Sequence, residues 1–287
     1  MILKDSYTLP NGVSIPKLGL GTWMIPDDKA AEAVREAVGF GYRHIDTAQA
    51  YQNEAGVGAG IRACGVPRDE LFVTTKLAAE VKSYDAAVAA IDGSLEALGL
   101  DTIDLFLIHS PWPWAAFGSD DRYFEGNLAA WRAMEEAYEA GKLRSIGVSN
   151  FQRQDLDNLL SGGRIAPMVD QVLAHISNTP FDLIEFCAEH DILVEAYSPI
   201  AHGELLKNEA VAAMADRYGV SIPQLSIRYT LELGLLPLPK TANPDHMRYN
   251  AAVDFDISDE DMDTLKGLPT IEDYGEASMF PVYSGKS

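Results

Sequence analysis

Short apolar runs bounded by turn residues alternate with longer amphipathic segments along almost the whole chain. The runs read KLGLGTW, HIDTA, LFVTTKL, IDLFLIH, SIGVSNF, MVDQVLA, LVEAYSP and LPLPKT. Between them, residues 84–98 and 128–140 repeat apolar side chains at helical spacing, and each segment stops at a glycine. The pattern therefore predicts eight strands separated by helices.

Two more helices are predicted from their first and last residues. In NTPFDLIEFCAEH, Thr179 is placed to cap a helix that has Pro180 in its first turn. In SIPQLSIRYTLELG, Pro223 opens a helix and Gly234 ends it. Strand and helix thus alternate from one end of the chain to the other without a linker.

This alternation predicts parallel strands joined by right-handed crossovers, and eight such units favour a closed (β/α)8 TIM barrel that forms one domain over residues 1–287. Ahead of it, SYTLPNGVSIP sets an Asn-Gly pair between two short runs, which predicts a β-hairpin with a two-residue turn that caps the bottom of the barrel. A doubly wound sheet would need G-x-G-x-x-G after its first strand, and LGLGTW lacks the third glycine.

Charge and cysteine content restrict the partners. The net charge of −21 argues against nucleic acid and against anionic membranes. Cys64 and Cys187 form no C-x-x-C pair, so we expect reduced thiols and a cytoplasmic protein, without a signal peptide or a membrane span. No metal site is predicted, because four of the histidines show no metal-ligand spacing: His44, His175, His190 and His202.

Polar residues end three consecutive strands. Asp46 ends the second, Lys76 the third and His109 the fourth. Active sites of barrels lie where the strands end, and neighbouring strands are only ~4.8 Å apart, so we expect these side chains to meet. Tyr51, in the loop after Asp46, can fold back over them.

Such a cluster has a chemical use. A tyrosine exchanges protons poorly at neutral pH, but a nearby ammonium lowers its pKa, and the Asp46 carboxylate keeps Lys76 charged. Tyr51 could then protonate an oxygen on which negative charge builds, as hydride transfer to a carbonyl requires, while His109 holds that oxygen. Taken singly, each residue has a structural explanation: an ion pair, a core histidine or a packing tyrosine. Together they favour catalysis.

The same segments resemble the aldo-keto reductase family over essentially the whole chain. GYRHIDTAQAYQNEAGVG is similar to its first signature, and TTKL, LIHSPWP, GKLRSIGVSNF, AYSPI and PLPKT follow in family order. The resemblance, nearest to bacterial enzymes that reduce diketo-sugar acids such as diketo-gluconate, implies NAD(P)H-dependent reduction of aldehydes, ketones or keto-sugar acids. It makes Tyr51 the general acid, Lys76 its tuner, Asp46 the partner of Lys76, and His109 the group that orients the substrate.

The resemblance also implies an extended nicotinamide dinucleotide, expected to be NADPH, across the barrel mouth. Ser149, Asn150 and Gln171 would hold its carboxamide, and Tyr197 would stack on its ring. The other implied contacts are Gly21, Thr22, Trp23, Asp46, Ser198 through Leu205 at the pyrophosphate, Lys240 and Thr241 at the 2′-phosphate, and Asn250 at the adenine.

Two short segments depart from the family pattern. His246 and Tyr249 stand where NADPH-preferring members usually have arginine and glutamate, so NADH is expected to serve as well, because an imidazole grips phosphate less firmly. Around Gln171, Asp170 and Leu173 replace the usual asparagine and glutamate. The carboxamide contact is expected to survive.

Aromatic side chains are expected to form the substrate pocket. Trp23 and Trp112 are the main candidates for its walls, with three weaker ones: Trp114, Phe280 and Tyr283. The irregular tail after Leu268 is expected to lie over the mouth as a lid. The partner would be a small carbonyl compound, and the acidic chain is expected to be a monomer.

Two rival functions remain open on sequence alone. A Schiff-base aldolase could use Lys76 as its nucleophile, although Asp46 would keep that amine protonated. A redox-sensing subunit could bind the cofactor and turn over slowly, and a steady-state assay would separate it from a reductase.

Overall fold

A short hairpin precedes the main sheet. Strands β1 (Ser6–Thr8) and β2 (Ser14–Pro16) pair antiparallel, and the Leu9 N–H donates to the Val13 carbonyl beyond them. The turn therefore contains three residues and ends on Gly12 at φ +84°. The predicted two-residue turn is wrong, because a three-residue hairpin loop places its left-handed glycine third.

Eight parallel strands form one sheet in the computed structural model, which describes residues 1–284. The Gly21 N–H donates to the Pro239 carbonyl, and Gly21 bridges Lys240, so the first and last of these strands close into a barrel. The predicted (β/α)8 fold is confirmed. The strands are β3 (Gly19–Gly21), β4 (His44–Asp46), β5 (Phe72–Leu77), β6 (Leu105–Ile108), β7 (Ile146–Ser149), β8 (Val169–Leu173), β9 (Leu193–Tyr197) and β10 (Leu236–Leu238).

The hairpin lies at the end of the barrel where the strands begin. The Tyr7 hydroxyl donates to the carbonyl of Leu235, directly before β10, and the Asn11 amide donates to the carbonyl of Arg144, just before β7. The hairpin therefore covers the bottom, as predicted, and leaves the C-terminal face open for the site.

Helices occupy most of the intervals between the strands. Two of them show where helix ends depart from the sequence pattern: α4 begins at Phe124, and α6 has Pro180 as its N-cap because the Thr179 hydroxyl donates to the His175 carbonyl instead. The helices are α1 (Asp27–Phe40), α2 (Glu54–Ala63), α3 (Tyr84–Leu98), α4 (Phe124–Glu139), α5 (Arg153–Gly162), α6 (Phe181–Glu189), α7 (Glu209–Tyr218), α8 (Ile222–Glu232), α9 (Pro244–Asn250) and α10 (Asp259–Lys266). None of those described is long and apolar enough to cross a membrane.

Helix α2 follows Tyr51 closely and is packed through glycines. A Cβ on Gly56 would overlap the carbonyl of Asp27 in α1, and a Cβ on Gly58 would overlap the carbonyl of Leu98 at the end of α3. Only glycine permits this approach of the backbones. The contacts fix α2, and with it the loop that carries Tyr51.

The interior of the barrel is unusually polar for this fold. Barrel interiors are ordinarily filled by bulky branched side chains. Here six fully or almost fully buried polar side chains occupy it: His44, Asp46, Thr74, Lys76, Gln171 and Glu195. This polar interior underlies the site.

Candidate active site

A cavity of about 590 Å³ opens at the C-terminal face of the barrel. Strand ends form its floor, and the loops after β3, β6 and β9 together with the C-terminal segment form its walls. It brings together many of the predicted site residues: Gly21, Trp23, Asp46, Tyr51, His109, Ser149, Asn150, Gln171, Tyr197, Ser198 and Lys240.

Lys76 lies directly beneath the cavity floor and is fully buried. Its Nζ donates to both oxygens of Asp46, at 2.7 and 2.8 Å, and to the carbonyl of Thr47 at 2.8 Å. It also lies 3.4 Å from the Tyr51 hydroxyl. An ammonium committed in this way has no lone pair for attack on a carbonyl carbon, so the aldolase alternative is not supported.

The Tyr51 phenol faces the cavity at the end of this chain of contacts. Burial raises its pKa well above the usual value near 10, and the Asp46 carboxylate adds to the rise. This direction is opposite to the one predicted, because desolvation of the half-buried phenol raises its pKa and the Asp46 carboxylate offsets the neighbouring ammonium. Tyr51 therefore keeps its proton at neutral pH and is available as a donor.

His109 presents one ring nitrogen to the same space. Its ring centroid lies 5.6 Å from that of Tyr51. Burial, assisted by Lys76, lowers the pKa of His109 well below its usual value, so the imidazole is neutral. Nδ1 is buried without a partner among the described residues, which leaves Nε2 toward the cavity. A carbonyl oxygen could accept hydrogen bonds from Tyr51 and His109 together.

Behind them, a hydrogen-bonded group surrounds the predicted carboxamide position. The Asn150 amide donates to the His109 carbonyl at 2.9 Å, and the Tyr197 hydroxyl donates to Asn150 Oδ1 at 2.7 Å. The Ser149 hydroxyl donates to the Gln171 carbonyl at 2.7 Å.

In this group, the side-chain oxygen of Gln171 is available to accept a hydrogen bond from a ligand. Its Nε2 donates to Asp46 at 2.9 Å and to Glu195 at 2.7 Å, while Oε1 makes no hydrogen bond within residues 1–284. The residue lines the cavity, so this acceptor suits the NH2 of a nicotinamide carboxamide. The chain's own residues thus fit the predicted cofactor.

Trp112 does not form a wall of the cavity, and that prediction is wrong. The side chain is only 2% exposed, its indole N–H donates to the Ser119 carbonyl at 3.1 Å, and the Arg122 guanidinium lies 4.3 Å from its ring. Trp114 lines the cavity instead, with its ring 5.0 Å from that of His109.

Two predicted cofactor residues turn their side chains away. The Thr22 hydroxyl is fully buried and donates to the Asp46 carbonyl at 2.9 Å, while the Leu205 side chain is fully buried in a second apolar cluster. Direct side-chain contact at these positions is therefore excluded by packing. The other three lie beyond Lys240 outside the cavity walls, and their roles stay predictions: Thr241, His246 and Asn250.

The C-terminal segment forms one wall through aromatic contacts. The Trp23 ring lies 4.9 Å from Phe280 and 5.3 Å from His202. Tyr283 shares a hydrogen bond of 2.7 Å with the Ser198 hydroxyl. The tail thus lies at the mouth, where the sequence placed it, and residues 285–287 are outside the described residues.

Sequence reasoning gave two residues of this region no role of their own. His202 was named singly only among the histidines without metal-ligand spacing, and otherwise fell within the predicted pyrophosphate loop from Ser198 through Leu205, yet its side chain lines the cavity. Glu195 was treated as part of a strand, although a charged residue inside LVEAYSP, beside Gln171 in the sheet register, marks a polar interior. Within the described chain, no group of three or more His, Cys, Asp and Glu could hold a metal ion.

Comparisons with known proteins agree with the geometry. The profile of the "Aldo/keto reductase family" matches residues 17–269. The glyoxal reductase of Bacillus subtilis (strain 168) is 42% identical over 275 residues, which cover 95% of this chain and 96% of that enzyme. The 9,11-endoperoxide prostaglandin H2 reductase of Trypanosoma cruzi (strain CL Brener) is 42% identical over 269 residues, covering 92% and 91%.

A solved structure gives the same result in three dimensions. The Bombyx mori aldo-keto reductase in complex with NADP superposes with a TM-score of 0.85 at 34% identity, covering 97% of this chain and 98% of that one. The alternatives considered above have no comparable support. The chain belongs to the aldo/keto reductase family and is an NAD(P)H-dependent oxidoreductase that reduces carbonyl groups.

Proposed function

We propose that this enzyme reduces small, uncharged aldehydes and dicarbonyls, with Tyr51 as the proton donor. The observation that carries the proposal is the continuous contact from Asp46 through Lys76 to the Tyr51 hydroxyl, which ends in the cavity beside His109. No other described part of the molecule joins an acid, an ammonium and a phenol in this way at a cavity.

Each residue of the site would have its own role in the reduction of the carbonyl group. The nicotinamide, when bound, supplies a hydride to the carbonyl carbon. The Tyr51 hydroxyl and His109 Nε2 hold the carbonyl oxygen, and the Tyr51 proton moves to that oxygen as negative charge develops there. Lys76 stabilises the phenolate left on Tyr51, while the Asp46 carboxylate accepts two hydrogen bonds from Lys76 and holds it in place. The product is the alcohol.

The cavity walls support an uncharged substrate. Trp23, Trp114, Phe280 and Val282 line the space, and Lys240 is the sole lysine or arginine side chain in the lining of the described chain. With Lys240 assigned to the 2′-phosphate of the cofactor, a substrate carboxylate next to the apolar walls would lose water without gaining a cationic partner, which is costly. Uncharged carbonyl compounds are therefore favoured over the keto-sugar acids that the sequence resemblance suggested.

A substrate panel tests this proposal. Steady-state oxidation of NADPH is followed with methylglyoxal and phenylglyoxal on one side and glyoxylate and 2,5-diketo-gluconate on the other. We expect kcat/KM to be at least about tenfold higher for the uncharged compounds. Equal or higher values for the acids would overturn the substrate class. Tight NADPH binding with slow turnover on every compound would instead favour the redox-sensing alternative.

NADPH is proposed as the preferred cofactor, with NADH as a weaker one. Lys240 is an exposed cation at the edge of the cavity, and His246 is exposed in the first turn of α9, just beyond it. Replacing His246→Arg would add a permanent charge with two donors and should tighten NADPH about tenfold while leaving NADH unchanged. Fluorescence titration measures both affinities, and equal changes would remove His246 from the 2′-phosphate site.

The remaining proposals concern the protein as a whole. We infer that residues 1–287 act as a single domain, since the eight barrel strands follow one another through one closed sheet. Two free thiols, Cys64 and Cys187, support a cytoplasmic location. The net charge of −21 opposes close association of two copies and supports a monomer, which sedimentation equilibrium would test.

A further inference from the structure

Glu195 is a buried acid in the middle of β9 that the proposed reaction does not use. It is fully buried and lies beside Gln171 of β8 in the parallel register. One carboxyl oxygen, Oε2, accepts a hydrogen bond from the Gln171 amide at 2.7 Å. The other, Oε1, has no partner in the described chain and lies 3.9 Å from His44.

The Gln171 amide is held by both of its N–H groups. One donates to Asp46 Oδ2 at 2.9 Å and the other to Glu195 Oε2. The last torsion of a glutamine side chain is broad and roughly two-fold, so a single hydrogen bond leaves the amide free to swing. Two acceptors on the nitrogen side leave one orientation, in which Oε1 is turned toward the cavity.

We propose that Glu195 is a positioning residue that fixes Gln171 with its carbonyl oxygen toward the cavity, so that the site selects the NH2 of the nicotinamide carboxamide. The inference rests on the proposed assignment of Gln171 to that carboxamide. Glu195 itself touches neither substrate nor cofactor.

The burial of this acid is otherwise unexplained. A buried carboxyl group contributes less to stability than an apolar side chain of the same size, and barrel interiors are usually filled by such apolar groups. Burial, with the nearby Asp46 carboxylate, raises the pKa of Glu195 to about 8. The group is therefore a neutral acid at neutral pH that still offers an oxygen to Gln171, which avoids a second buried negative charge beside Asp46.

The arrangement also joins the two halves of the site. From Glu195 the contacts run through Gln171 to Asp46, and from Asp46 through Lys76 to Tyr51. Gln171, which would bind the carboxamide, and Tyr51, which would donate the proton, are thus both linked to the carboxylate of Asp46, Gln171 directly and Tyr51 through Lys76.

The test compares two dinucleotides by equilibrium binding, without turnover. NADP+ carries the carboxamide, and its 3-acetylpyridine analogue carries a methyl ketone that lacks the NH2. Quenching of tryptophan fluorescence gives both dissociation constants. The wild-type chain should prefer NADP+ by about tenfold, the value of one hydrogen bond to an acceptor that is otherwise left unpaired.

Glu195→Met matches the length of the side chain but removes the acceptor. We expect NADP+ to bind about tenfold more weakly and the analogue to bind as before, so that the preference disappears. Glu195→Leu, which has the branched shape common in barrel interiors, should give the same result, and it serves if the first variant does not fold. Glu195→Gln keeps an acceptor oxygen for the Gln171 amide and should retain the wild-type preference for NADP+ over the analogue.

Thr74→Val is the matched control. Thr74 is buried in the same polar interior and bonds His44 at 2.9 Å, but it makes no hydrogen bond to Gln171. The Thr74→Val variant should therefore prefer NADP+ over the analogue as strongly as the wild type does. An unchanged preference in Glu195→Met, or an equal loss in Thr74→Val, would overturn the positioning role. If the wild type binds both dinucleotides equally, the assignment of Gln171 fails and the inference fails with it. If it binds neither, the cofactor assignment itself is wrong.

Discussion

The floor and the rim of the cavity are built in different ways. Floor side chains come mainly from strands, are buried, and hydrogen-bond one another, whereas rim side chains come from loops and the tail and make edge and stacking contacts between rings. By the floor we mean Asp46 and Gln171, which line the cavity, together with Lys76 and Glu195 buried directly beneath them. The rim comprises Trp23, Trp114, Phe280 and Tyr283. The difference indicates that strand register sets the chemistry and that loop conformation sets the choice of substrate.

The largest effect is expected where the floor meets the reaction. Tyr51→Phe keeps the ring and removes the proton, so kcat should fall by about 10²–10⁴-fold, while the NADPH dissociation constant stays within about twofold. Stopped-flow turnover and fluorescence titration measure the two quantities. Tyr84→Phe is the control, since Tyr84 bonds Glu136 at the surface and should leave kcat unaltered. Comparable losses in both variants would contradict the assignment of the acid.

Substitution of Trp114, at the rim, and of Trp112, buried two residues before it, should have different effects. Trp114→Ala removes a cavity wall and should raise the KM for phenylglyoxal about tenfold with little change in stability. Trp112→Phe should leave KM unchanged but lower the free energy of unfolding by about 1–3 kcal/mol, because it disturbs a buried ring and loses the bond to Ser119. Steady-state kinetics and urea unfolding check the pair, and a raised KM in Trp112→Phe would return that residue to the pocket.

The floor should also give the protein a pH-dependent stability. With its pKa raised to about 8, Glu195 keeps in the folded state a proton that the unfolded chain releases near its ordinary value of 4.5. The contribution of Glu195 to the unfolding free energy should therefore fall as pH rises between these values, by at most about 1.4 kcal/mol per pH unit. His44 acts in the opposite direction below pH 6.5, because burial and Lys76 lower its pKa to about 3 in the folded state, while the unfolded imidazole gains a proton near its ordinary value of 6.5. The slope that belongs to Glu195 is therefore the difference between the wild type and a variant that does not titrate.

The measurement is urea unfolding at several pH values within that interval. Glu195→Gln does not titrate and should lose this part of the slope. An identical slope in the variant and the wild type would show that Glu195 does not hold the proton.

The smallest effect is expected at the tail. Tyr283→Phe removes the hydrogen bond of 2.7 Å to Ser198, whose hydroxyl would then be free for the pyrophosphate. NADPH should bind about two- to fivefold more tightly, because one competing hydrogen bond is gone. Fluorescence titration of the variant and the wild type with NADPH measures the change in affinity. Weaker binding by the variant would mean that the hydrogen bond between Tyr283 and Ser198 supports the cavity wall and does not compete with the cofactor.

The sequence predicted the floor better than the rim. Asp46, Lys76 and His109 end consecutive strands, and the period of two along a strand fixes which side chains face inward. Trp112 and Trp114 lie two residues apart in an irregular loop, where no periodicity tells which ring faces the cavity. The prediction that the pKa of Tyr51 is lowered was also wrong. The shift depends on how far the phenol is desolvated, which spacing along the chain does not reveal.

The glycines of α2 have a consequence for protein engineering. Exchanging a helical glycine for alanine is a standard route to a more thermostable enzyme, worth about 1 kcal/mol at an exposed helix position. At Gly56 or Gly58 the added methyl would collide with the main chain of a neighbouring helix. The helix would have to retreat and take the adjoining tyrosine loop with it, so a change made for robustness would be detected first as lost turnover.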